Sequence, residues 1–450
     1  MQGTRLRGGP QGRSVASPTR QLTLSAPSAP TDDRYIAETF DPGGHLALID
    51  PSYQRRLGQV EIAHAAHTCF ETSVPALVEG PCGIGKGRGY LVPVTRRASR
   101  GHRMLVVTET NALIQQLMHN DLPLLNRALP WKPSYASLTG RATYLCKKKE
   151  AGFSPSILKP QELIAAKALM RWARTTETGK RDEAPAEAHE IWSHVSVGPE
   201  ECAGDSCEVR EFCFAERARK IAKQSPIVVT NMHMLALHLQ NGRALPDFDG
   251  AAIDEAHSLG DVCKGFFGES ISKPQAKKFI ALCADAEVDA EPCRDLFDRL
   301  FESCVVAMAH PLDGLFADSP KSTESEQKTL AIDALPGGSL AVLEVQMKRA
   351  CGELDKLLEE DGRQRIKYGF SSLDSETVAS ARTARRMADR FARVLFQTTE
   401  NQVRWLESGR HGSVEIHIEP VTIGAQMNGL LFQAYPRTFL TSATLTTGGT

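Results

Sequence analysis

Short apolar segments alternate with longer amphipathic stretches from about Tyr35 onward. Five of the short segments have the length and composition of strands: Ala76–Glu79, Met104–Thr108, Ile227–Thr230, Ala251–Asp254 and Thr438–Thr441. The first two are predicted to be buried, and a helical stretch follows each of them. Because strands that alternate with helices form parallel sheets with helices on both faces, the pattern predicts an α/β fold.

Two blocks interrupt this alternation. Residues 143–226 contain four cysteines and little strand signal, whereas residues 263–410 are predicted to be mostly helical, with a polar loop at 317–328. Within the helical block, apolar residues recur at three- and four-residue steps (Val378, Ala381, Ala384, Ala388, Phe391 and Leu395), and arginines lie mainly off this stripe. The arginines form either a solvated basic face or a surface that contacts phosphates through Arg385, Arg386 and Arg393.

Composition limits the classes of protein that the chain can represent. With 41% hydrophobic and 24% charged residues in 450, it is an ordinary globular protein of two to four domains. A net charge of -1 excludes a global basic field, so any contact with nucleic acid must use local patches. No apolar run is long enough to span a bilayer and no secretory signal is evident, so we expect no membrane contact. Residues 1–31, rich in Gly, Ser, Pro and Arg, are predicted to be a disordered basic tail.

A glycine-rich loop follows the first predicted strand. Gly80 and Gly85-Lys86 match the G-x-x-x-x-G-K part of a phosphate-binding loop, and Gly83 lies between them. Glycines let the backbone curl around phosphates with its N–H groups directed inward, and Lys86 would supply a positive charge to the β- and γ-phosphates. Gly87 stands where such loops usually have the hydroxyl that binds Mg²⁺. A glycine turn with an exposed lysine is the alternative, but the preceding strand and the predicted following helix favour phosphate binding.

Two adjacent carboxylates end another predicted strand, in the segment Asp254-Glu255-Ala-His257. Asp254 would hold Mg²⁺ directly or through water, and Glu255 would orient and deprotonate an attacking water. His257 is placed to link the nucleotide state to another motif. A buried or salt-bridged acidic pair is the alternative, but this tetrapeptide after a strand is far rarer by chance than the loop fragment.

The order of these motifs resembles that of superfamily 2 helicases of the DinG/XPD type. The third motif of that order is matched by Leu440-Thr-Ser-Ala-Thr-Leu445. The resemblance implies that Ser442 and Thr444 couple the acidic box to the nucleic-acid site. It also implies a RecA-like motor domain that binds ATP and Mg²⁺.

Three further segments resemble motifs of the same family. Tyr53-Gln-Arg-Arg-Leu-Gly-Gln59 resembles the adenine-reading Q motif, with Arg56 and Gln59 at the matching positions. Val107-Thr-Glu-Thr-Asn-Ala-Leu113 resembles the strand-end motif that touches the DNA backbone, with Thr110 as the implied contact. Ile227-Val-Val-Thr-Asn-Met-His233 resembles the segment before the acidic box.

Four cysteines in the first interrupting block are candidate metal ligands: Cys146, Cys202, Cys207 and Cys213. Four thiolates suit either structural zinc or a cubane iron–sulfur cluster. Their spacing fits zinc knuckles less well, and the polar surroundings of Cys207 argue against unligated core thiols. The resemblance to DinG helicases implies a 4Fe–4S cluster, with structural zinc and an empty or vestigial site as the alternatives.

Together these patterns predict six segments along the chain. They are a basic tail at 1–33, the first part of a RecA-like domain at 34–142, an iron–sulfur insertion at 143–226, the acidic-box part of the RecA-like domain at 227–262, a helical arch at 263–410 and a return to the RecA-like domain at 411–450. Family members continue with a second RecA-like domain whose Gln-x-x-Gly-Arg-x-x-Arg motif completes the ATP site, and that motif does not occur here. We therefore expect residues 1–450 to bind ATP but hardly to hydrolyse it, the second domain being supplied by the same gene or by a separate chain.

The resemblance implies an ATP-dependent, 5′→3′ DNA helicase that acts on single-stranded or forked DNA in the bacterial cytoplasm, in association with the nucleoid. The alternative is a catalytically degenerate accessory or scaffold protein that binds nucleic acid on a helicase core. Gly87 and the missing second domain both favour that alternative. Some relatives accompany CRISPR systems on mobile elements, so a CRISPR effector complex stays open as a partner.

Overall fold

The computed structural model describes residues 32–154, 158–159, 162–198, 202–204, 207–309, 329–332, 335–336, 339–397, 400–408 and 413–445. The predicted tail at 1–31, the polar loop at 317–328 and the last residues, 446–450, lie outside the described residues.

The strands, in chain order, are β1 Ala76–Glu79, β2 Met104–Thr108, β3 Tyr135–Ser137, β4 Ile227–Asn231, β5 Gly250–Asp254, β6 Glu269–Ser272, β7 Thr329–Ile332, β8 Gln402–Ser408, β9 Val414–Pro420 and β10 Thr438–Ser442. The α-helices are α1 Arg34–Phe40, α2 His45–Ile49, α3 Leu57–Thr72, α4 Lys86–Ser99, α5 Asn111–Gln116, α6 Leu122–Ala128, α7 Lys147–Ala151, α8 Leu163–Ala173, α9 Phe214–Gln224, α10 Met232–Asn241, α11 Leu259–Phe267, α12 Lys273–Asp285, α13 Pro292–Ala309, α14 Leu340–Tyr368, α15 Ser375–Phe396 and α16 Gly424–Met427.

Six parallel strands form the first sheet, in the order β1-β10-β5-β2-β4-β3. Alternate residues of the central strands point into two helical layers because successive side chains of a strand face opposite sides. Met104 and Val106 pack in the layer that contains α3 and α4. Leu105 and Val107 pack in the layer that contains α10 and α11. The five predicted strands and the predicted α/β, RecA-like parallel sheet are confirmed.

The burial predicted for the first strand is wrong. Residues of β1 alternate between half-buried and exposed, and Leu77 is 64% exposed. The reason is that β1 forms one edge of the sheet, where it pairs with β10 alone among the described strands. An apolar run of four residues did not distinguish this edge strand from a central one.

A second sheet, antiparallel and in the order β6-β9-β8-β7, packs with α12, α13, α14 and α15 around its own core. The prediction of a mostly helical block at 263–410 is right for these helices but misses the strands between them. The predicted boundary at 410 is also wrong, because β9 pairs with β8 along its whole length. Val414, Ile416 and Ile418 alternate along β9 and are buried in this second core.

The cysteine-containing block forms a third core of its own. Helices α7, α8 and α9 and short 3₁₀ segments surround Tyr144, Leu169, Trp192 and Phe214, which are all buried. The block enters after β3 and returns to β4, so it is an insertion between two neighbouring strands of the parallel sheet.

The carboxyl ends of β1, β2, β5 and β10 lie along the same edge of the parallel sheet. Ligands of open α/β sheets bind at this edge. Among the described residues, no helix has both the length and the apolar character needed to cross a bilayer.

Candidate functional site

The loop between β1 and α4 is shaped by glycines with left-handed backbone conformations. Gly83 and Gly85 have φ angles of 81° and 88°, which residues with a Cβ rarely adopt. Space restricts Gly85 further, because a Cβ there would lie 2.2 Å from Gln59 Nε2. At the start of the loop, the Gly80 amide donates a hydrogen bond to the Ser442 carbonyl oxygen at 2.9 Å. The loop is therefore held open by glycine and tied to β10.

Lys86, the first residue of α4, directs its side chain back into this loop. Its Nζ donates a hydrogen bond to the Gly80 carbonyl oxygen at 3.2 Å and lies 4.0 Å from Glu255 Oε1. The ammonium group is 10% exposed. A largely enclosed cation that faces one loop carbonyl and one distant carboxylate is suited to meet an anion.

Next to Lys86, Gly87 leaves open space. A Cβ at this position would meet no atom within 4 Å. Glycine has no hydroxyl to offer at this position, but Tyr90 follows three residues later, within one turn of α4. Its side chain is buried, and its hydroxyl donates a hydrogen bond to Asp254 Oδ2 at 3.1 Å. The sequence pattern does not mark this tyrosine, because the residue that its hydroxyl contacts lies 164 positions away.

Asp254 ends β5 with both of its carboxylate oxygens engaged. The Glu255 amide donates to Oδ1 at 2.9 Å, and Tyr90 donates to Oδ2. Burial raises the pKa of Asp254, and the neighbouring Glu255 charge adds to this, although the hydrogen bonds oppose it. Burial likewise raises the pKa of Tyr90 well above its ordinary value, so its hydroxyl stays a donor. Asp254 is thus a fixed carboxylate in a low-dielectric position.

Glu255, His257 and Ser442 form a connected polar group. His257 Nδ1 lies 2.8 Å from Ser442 Oγ, and Ser442 Oγ lies 3.4 Å from Glu255 Oε2. His257 Nδ1 also lies 3.4 Å from Glu255 Oε2. Glu255 itself has a left-handed backbone with φ 54°, which turns its side chain away from the strand direction. Thr444 joins through its backbone only, since its amide donates to Ser442 Oγ at 3.3 Å.

The Q-motif-like residues contact the phosphate loop. Gln59 is buried, and its Nε2 donates to the Gly85 carbonyl oxygen at 2.9 Å. Arg56 Nη1 donates to the Gly83 carbonyl oxygen. Gln59 Oε1 is buried and accepts no hydrogen bond from the part of the chain that the structure describes. One acceptor in this wall is therefore available to a ligand.

These segments enclose one cleft with a volume of about 560 Å³. The phosphate loop from Cys82 to Arg88, the segment before α3 and the acidic pair all contribute to its lining, together with residues of α5 and the π-helical turn that follows it. Predicted residues that line it are Arg56, Gln59, Gly83, Gly85, Lys86, Gly87, Asp254 and Glu255. Gly80 closes the loop behind it through its contacts with Lys86 and Ser442.

Arg88 is a second cleft residue that the sequence analysis did not single out. Its Nε lies 3.5 Å from Asp121 Oδ1, and its Nη1 lies 3.9 Å from Asp50 Oδ2. Both distances exceed those of well-formed ion pairs, and the guanidinium is 31% exposed. Arg88 therefore adds a loosely held positive charge to the cleft beside Lys86.

Thr110 lies at the end of β2, where it caps α5. Its hydroxyl accepts a hydrogen bond from the Leu113 amide at 3.3 Å, and the residue is exposed. The neighbouring Glu109 accepts a hydrogen bond from Ser258 Oγ at 2.8 Å. Ser258 directly follows His257, so this contact joins the end of β2 to the acidic box. Neither the motif at the end of β2 nor the acidic box predicts this hydrogen bond from its sequence.

The four predicted cysteine ligands line a single small cavity of about 30 Å³: Cys146, Cys202, Cys207 and Cys213. Arg141, Lys147 and Lys148 also line it. The Gly204 amide donates to Cys202 Sγ at 3.4 Å. Within the described ranges, no group of three or more His, Cys, Asp or Glu side chains has a geometry that could hold a single metal ion. The donor set of four thiols around one cavity with basic neighbours nevertheless suits a polynuclear anionic centre.

The arginines of α15 lie off the buried stripe, as predicted, but at least three of them have carboxylate partners: Arg382, Arg385 and Arg393. Arg385 Nε donates to Asp355 at 2.7 Å, and Arg393 makes two hydrogen bonds to Glu269 at 2.7 and 2.6 Å. Arg386 is exposed. A phosphate would have to compete with carboxylates for Arg385 and Arg393, so their role as nucleic-acid contacts stays a prediction.

No family model matches the chain, but sequence comparison finds related proteins. The chain is 30% identical over 281 residues to the ATP-dependent DNA helicase YoaA of Escherichia coli, over 60% of the chain and 44% of that protein. It is 39% identical over 230 residues to the ATP-dependent helicase DinG of Mycobacterium tuberculosis, over 46% of the chain and 35% of that protein. It is 24% identical over 451 residues to the 3′-5′ exonuclease DinG of Bacillus subtilis, over 92% of the chain and 48% of that protein. The chain thus spans less than half of the length of each of these relatives.

Among solved structures, the chain is similar to an XPD helicase with a TM-score of 0.44 and 13% identity, over 88% of this chain and 59% of that one. A truncated XPD gives a TM-score of 0.42 at 13% identity, over 88% and 95%.

Proposed function

We propose that the chain, which is similar to the helicases YoaA and DinG, is the nucleotide-binding motor portion of an ATP-dependent DNA helicase of the DinG/XPD type. The proposal includes 5′→3′ movement on single-stranded DNA, with polarity and strand preference taken from the family resemblance. The observation that carries it is the single cleft in which the Q-motif-like segment, the phosphate loop and the acidic box meet.

ATP would lie in this cleft with its base beside Arg56 and Gln59 and its phosphates in the loop. The unpaired Gln59 Oε1 supports this orientation, because adenine carries an amino group that can donate to it. A buried acceptor without a partner costs about 1–3 kcal/mol, which a matching ligand recovers. Lys86 and Arg88 would meet the negative charge of the phosphates from two sides.

Asp254 would hold Mg²⁺, which supplies charge neutralisation to the phosphates when bound. Tyr90 and the Glu255 amide fix the Asp254 carboxylate for this task. Glu255 would orient and deprotonate the attacking water, with Lys86 near its other oxygen. Glu255 contacts Ser442 of β10 both directly and through His257. A change in the phosphates bound beside Glu255 would therefore reach β10 through two contacts.

Single-stranded or forked DNA is the proposed partner, with Thr110 as a backbone contact at the end of β2. Arg386 is the best placed of the α15 arginines, because Arg385 and Arg393 already have carboxylate partners. A second RecA-like domain, from the same gene or from another chain, would supply the arginines that stabilise charge on the transferred phosphoryl group.

We further propose that Cys146, Cys202, Cys207 and Cys213 hold a 4Fe–4S cluster. All four line one cavity, and thiolates are the usual protein ligands of such clusters. The cluster would cross-link the start and the end of the insertion, which otherwise depends on a small core. Arg141 lines the same cavity, where it is paired with Glu216, and Lys147 and Lys148 would add positive charge near the thiolates.

A catalytically degenerate nucleic-acid-binding protein is the second candidate, and Gly87 is the observation that favours it. Substitution of Gly87 with Thr distinguishes the two, since the open space there accepts a side chain. In a live motor that includes the second RecA-like domain, the restored hydroxyl is expected to raise ATP hydrolysis by about tenfold, measured in single turnovers with single-stranded DNA present. Lys86→Ala defines the background rate of ATP hydrolysis in this assay. If wild type and Gly87→Thr both hydrolyse ATP no faster than Lys86→Ala, the degenerate candidate replaces the motor.

A further inference from the structure

Exposed apolar side chains gather where α14 ends and the chain turns toward α15. Ile366, Tyr368 and Phe370 are 89%, 57% and 67% exposed. Gly369, with φ 77°, ends the helix in the left-handed conformation and separates the two rings in sequence. Single exposed apolar residues are common on protein surfaces, but three within five residues form a patch that indicates an interaction site. We call residues 366–370 the hairpin tip.

The hairpin tip combines aromatic rings with positive charge. The Tyr368 and Phe370 ring centroids are 6.3 Å apart with planes inclined by 39°. Lys367 Nζ lies 5.0 Å from the Tyr368 ring centroid, and this lysine has no carboxylate partner among the described residues. Arg363 and Arg365 precede the tip residues Lys367 and Tyr368, but both pair with carboxylates of α14, so Lys367 supplies the positive charge next to the rings. The tip is therefore a small cationic aromatic surface.

We propose that the hairpin tip is a stacking site for unpaired bases of single-stranded nucleic acid. The inference rests on the proposed function, which brings a single strand to this protein. Aromatic rings stack on any base because every base has a π-face, and adjacent cations hold the phosphates between stacked bases. The ammonium group of Lys367 beside the Tyr368 ring favours a polyanion over a protein partner, which the patch would otherwise also fit.

Substitutions at the tip test binding without disturbing the fold. The contact between α14 and α15 is made elsewhere, by buried residues that include Leu354, Ala381 and Phe391. Because Tyr368 and Phe370 are mostly exposed, replacing them with Ser removes little buried area. The same helix also offers a matched control at its other end, where Val342 and Val345 are 52% and 64% exposed.

The experiment compares binding of a fluorescent oligothymidylate by the 450-residue chain, followed by fluorescence anisotropy at several salt concentrations. Tyr368→Ser with Phe370→Ser is expected to weaken binding by at least about tenfold at every salt concentration, without a change in the salt dependence. Lys367→Ser is expected to reduce the slope of log K against log salt by about one. Val342→Ser with Val345→Ser should bind like wild type.

An oligonucleotide that lacks bases provides the second arm, because stacking cannot occur on it. Wild type and the Tyr368/Phe370 variant should bind this strand equally. If the variant binds oligothymidylate as well as wild type does, the stacking site is overturned and the proposed function stands. If the variant is equally impaired on the strand without bases, stacking is also overturned. If wild type binds no single strand at all, the proposed function itself fails.

Discussion

Gly87 and Tyr90 lie on the same turn of α4, and together they determine how the acidic box is supported. Gly87 removes the side-chain hydroxyl that phosphate loops usually direct at the metal. Tyr90, completely buried, instead donates to Asp254 Oδ2. Since burial raises the pKa of Asp254, each donor to its carboxylate helps to keep it charged. Tyr90 is therefore expected to position Asp254 for Mg²⁺.

Tyr90→Phe should raise the Mg²⁺ concentration needed for half-maximal ATP binding by about tenfold, because hydrogen bonds to charged groups are worth roughly 1.5–3 kcal/mol. The measurement is a Mg²⁺ titration at fixed ATP with fluorescence detection. Tyr435→Phe is the matched control, since it also removes a tyrosine hydroxyl that makes a hydrogen bond, here from a half-buried residue that contacts His238 away from the cleft. An unchanged Mg²⁺ requirement in Tyr90→Phe would show that Tyr90 only fills space.

Residues that carry chemistry within a short motif were predictable, and those that depend on distant contacts were not. Lys86, Asp254 and Glu255 follow from local spacing alone, because a loop or a strand end presents them directly. Tyr90 contacts a residue 164 positions away, so no local pattern marks its hydroxyl. The same holds for the bond between Ser258 and Glu109, 149 positions apart.

Among the elements, the parallel strands were predicted well because they are continuous apolar runs between helices. The antiparallel sheet was not, because β6, β7 and β8 are separated by long helices and β8 includes Arg404. That arginine is buried, and its Nε donates to the Val394 carbonyl oxygen at 2.9 Å. A charged residue that is satisfied by backbone inside a strand breaks the alternation of polar and apolar positions on which strand prediction depends.

Asp361 joins the two long helices of the second core. Its side chain is 1% exposed, and it accepts hydrogen bonds from Arg365 at 2.8 Å and from Arg382 at 2.9 Å. Burial alone would raise the pKa of Asp361, but hydrogen bonds from Ser371 and Arg365 and the charges of both arginines lower it below its ordinary value. Because the folded-state pKa is lowered, this stabilisation is present above the ordinary pKa and is lost as the pH falls through the lowered one.

Asp361→Asn is expected to decrease the free energy of unfolding by about 1–3 kcal/mol at pH 7. Asp355→Asn, at a position that is 48% exposed and paired with Arg385, should cost less than about 1 kcal/mol. Urea denaturation followed by circular dichroism measures both. The difference between wild type and Asp361→Asn should shrink as the pH is lowered below about 4. A difference that stays constant with pH would contradict the role of the carboxylate charge.

The cysteine insertion gives a prediction at the same scale. Protein purified without oxygen should be brown and contain iron and sulfide in near-equal amounts, because four thiolates line one cavity. Cys207→Ser should bleach the colour and destabilise the insertion, whereas Cys351→Ser, a change to a half-buried thiol of the second core, should leave it coloured. Colourless protein with stoichiometric zinc would rule out the cluster.

At the scale of the whole molecule, the insertions after β3 and β5 leave the parallel sheet intact. Strands that are separated by 89 and 183 positions, at Ser137 to Ile227 and Asp254 to Thr438, still pair in one sheet with their carboxyl ends together. The nucleotide cleft therefore draws on residues from 50 to 255, and the contact of Glu255 with Ser442 extends the polar group to β10. The order of motifs predicted that these segments meet at one edge of the sheet. The boundaries of the second core could not be predicted in this way, because they depend on the pairing between β8 and β9.

Direct titration of ATP with Mg²⁺ into the chain, followed by the heat of binding, tests whether this cleft is a nucleotide site. Wild type is expected to bind, and Lys86→Ala to bind at least about tenfold more weakly, because it loses a charge-assisted contact to phosphate. Lys277→Ala, a change to an exposed lysine of α12, should match wild type. If Lys86→Ala binds ATP as well as wild type does, the assignment of the phosphate loop is wrong and the chain is not a nucleotide-driven motor.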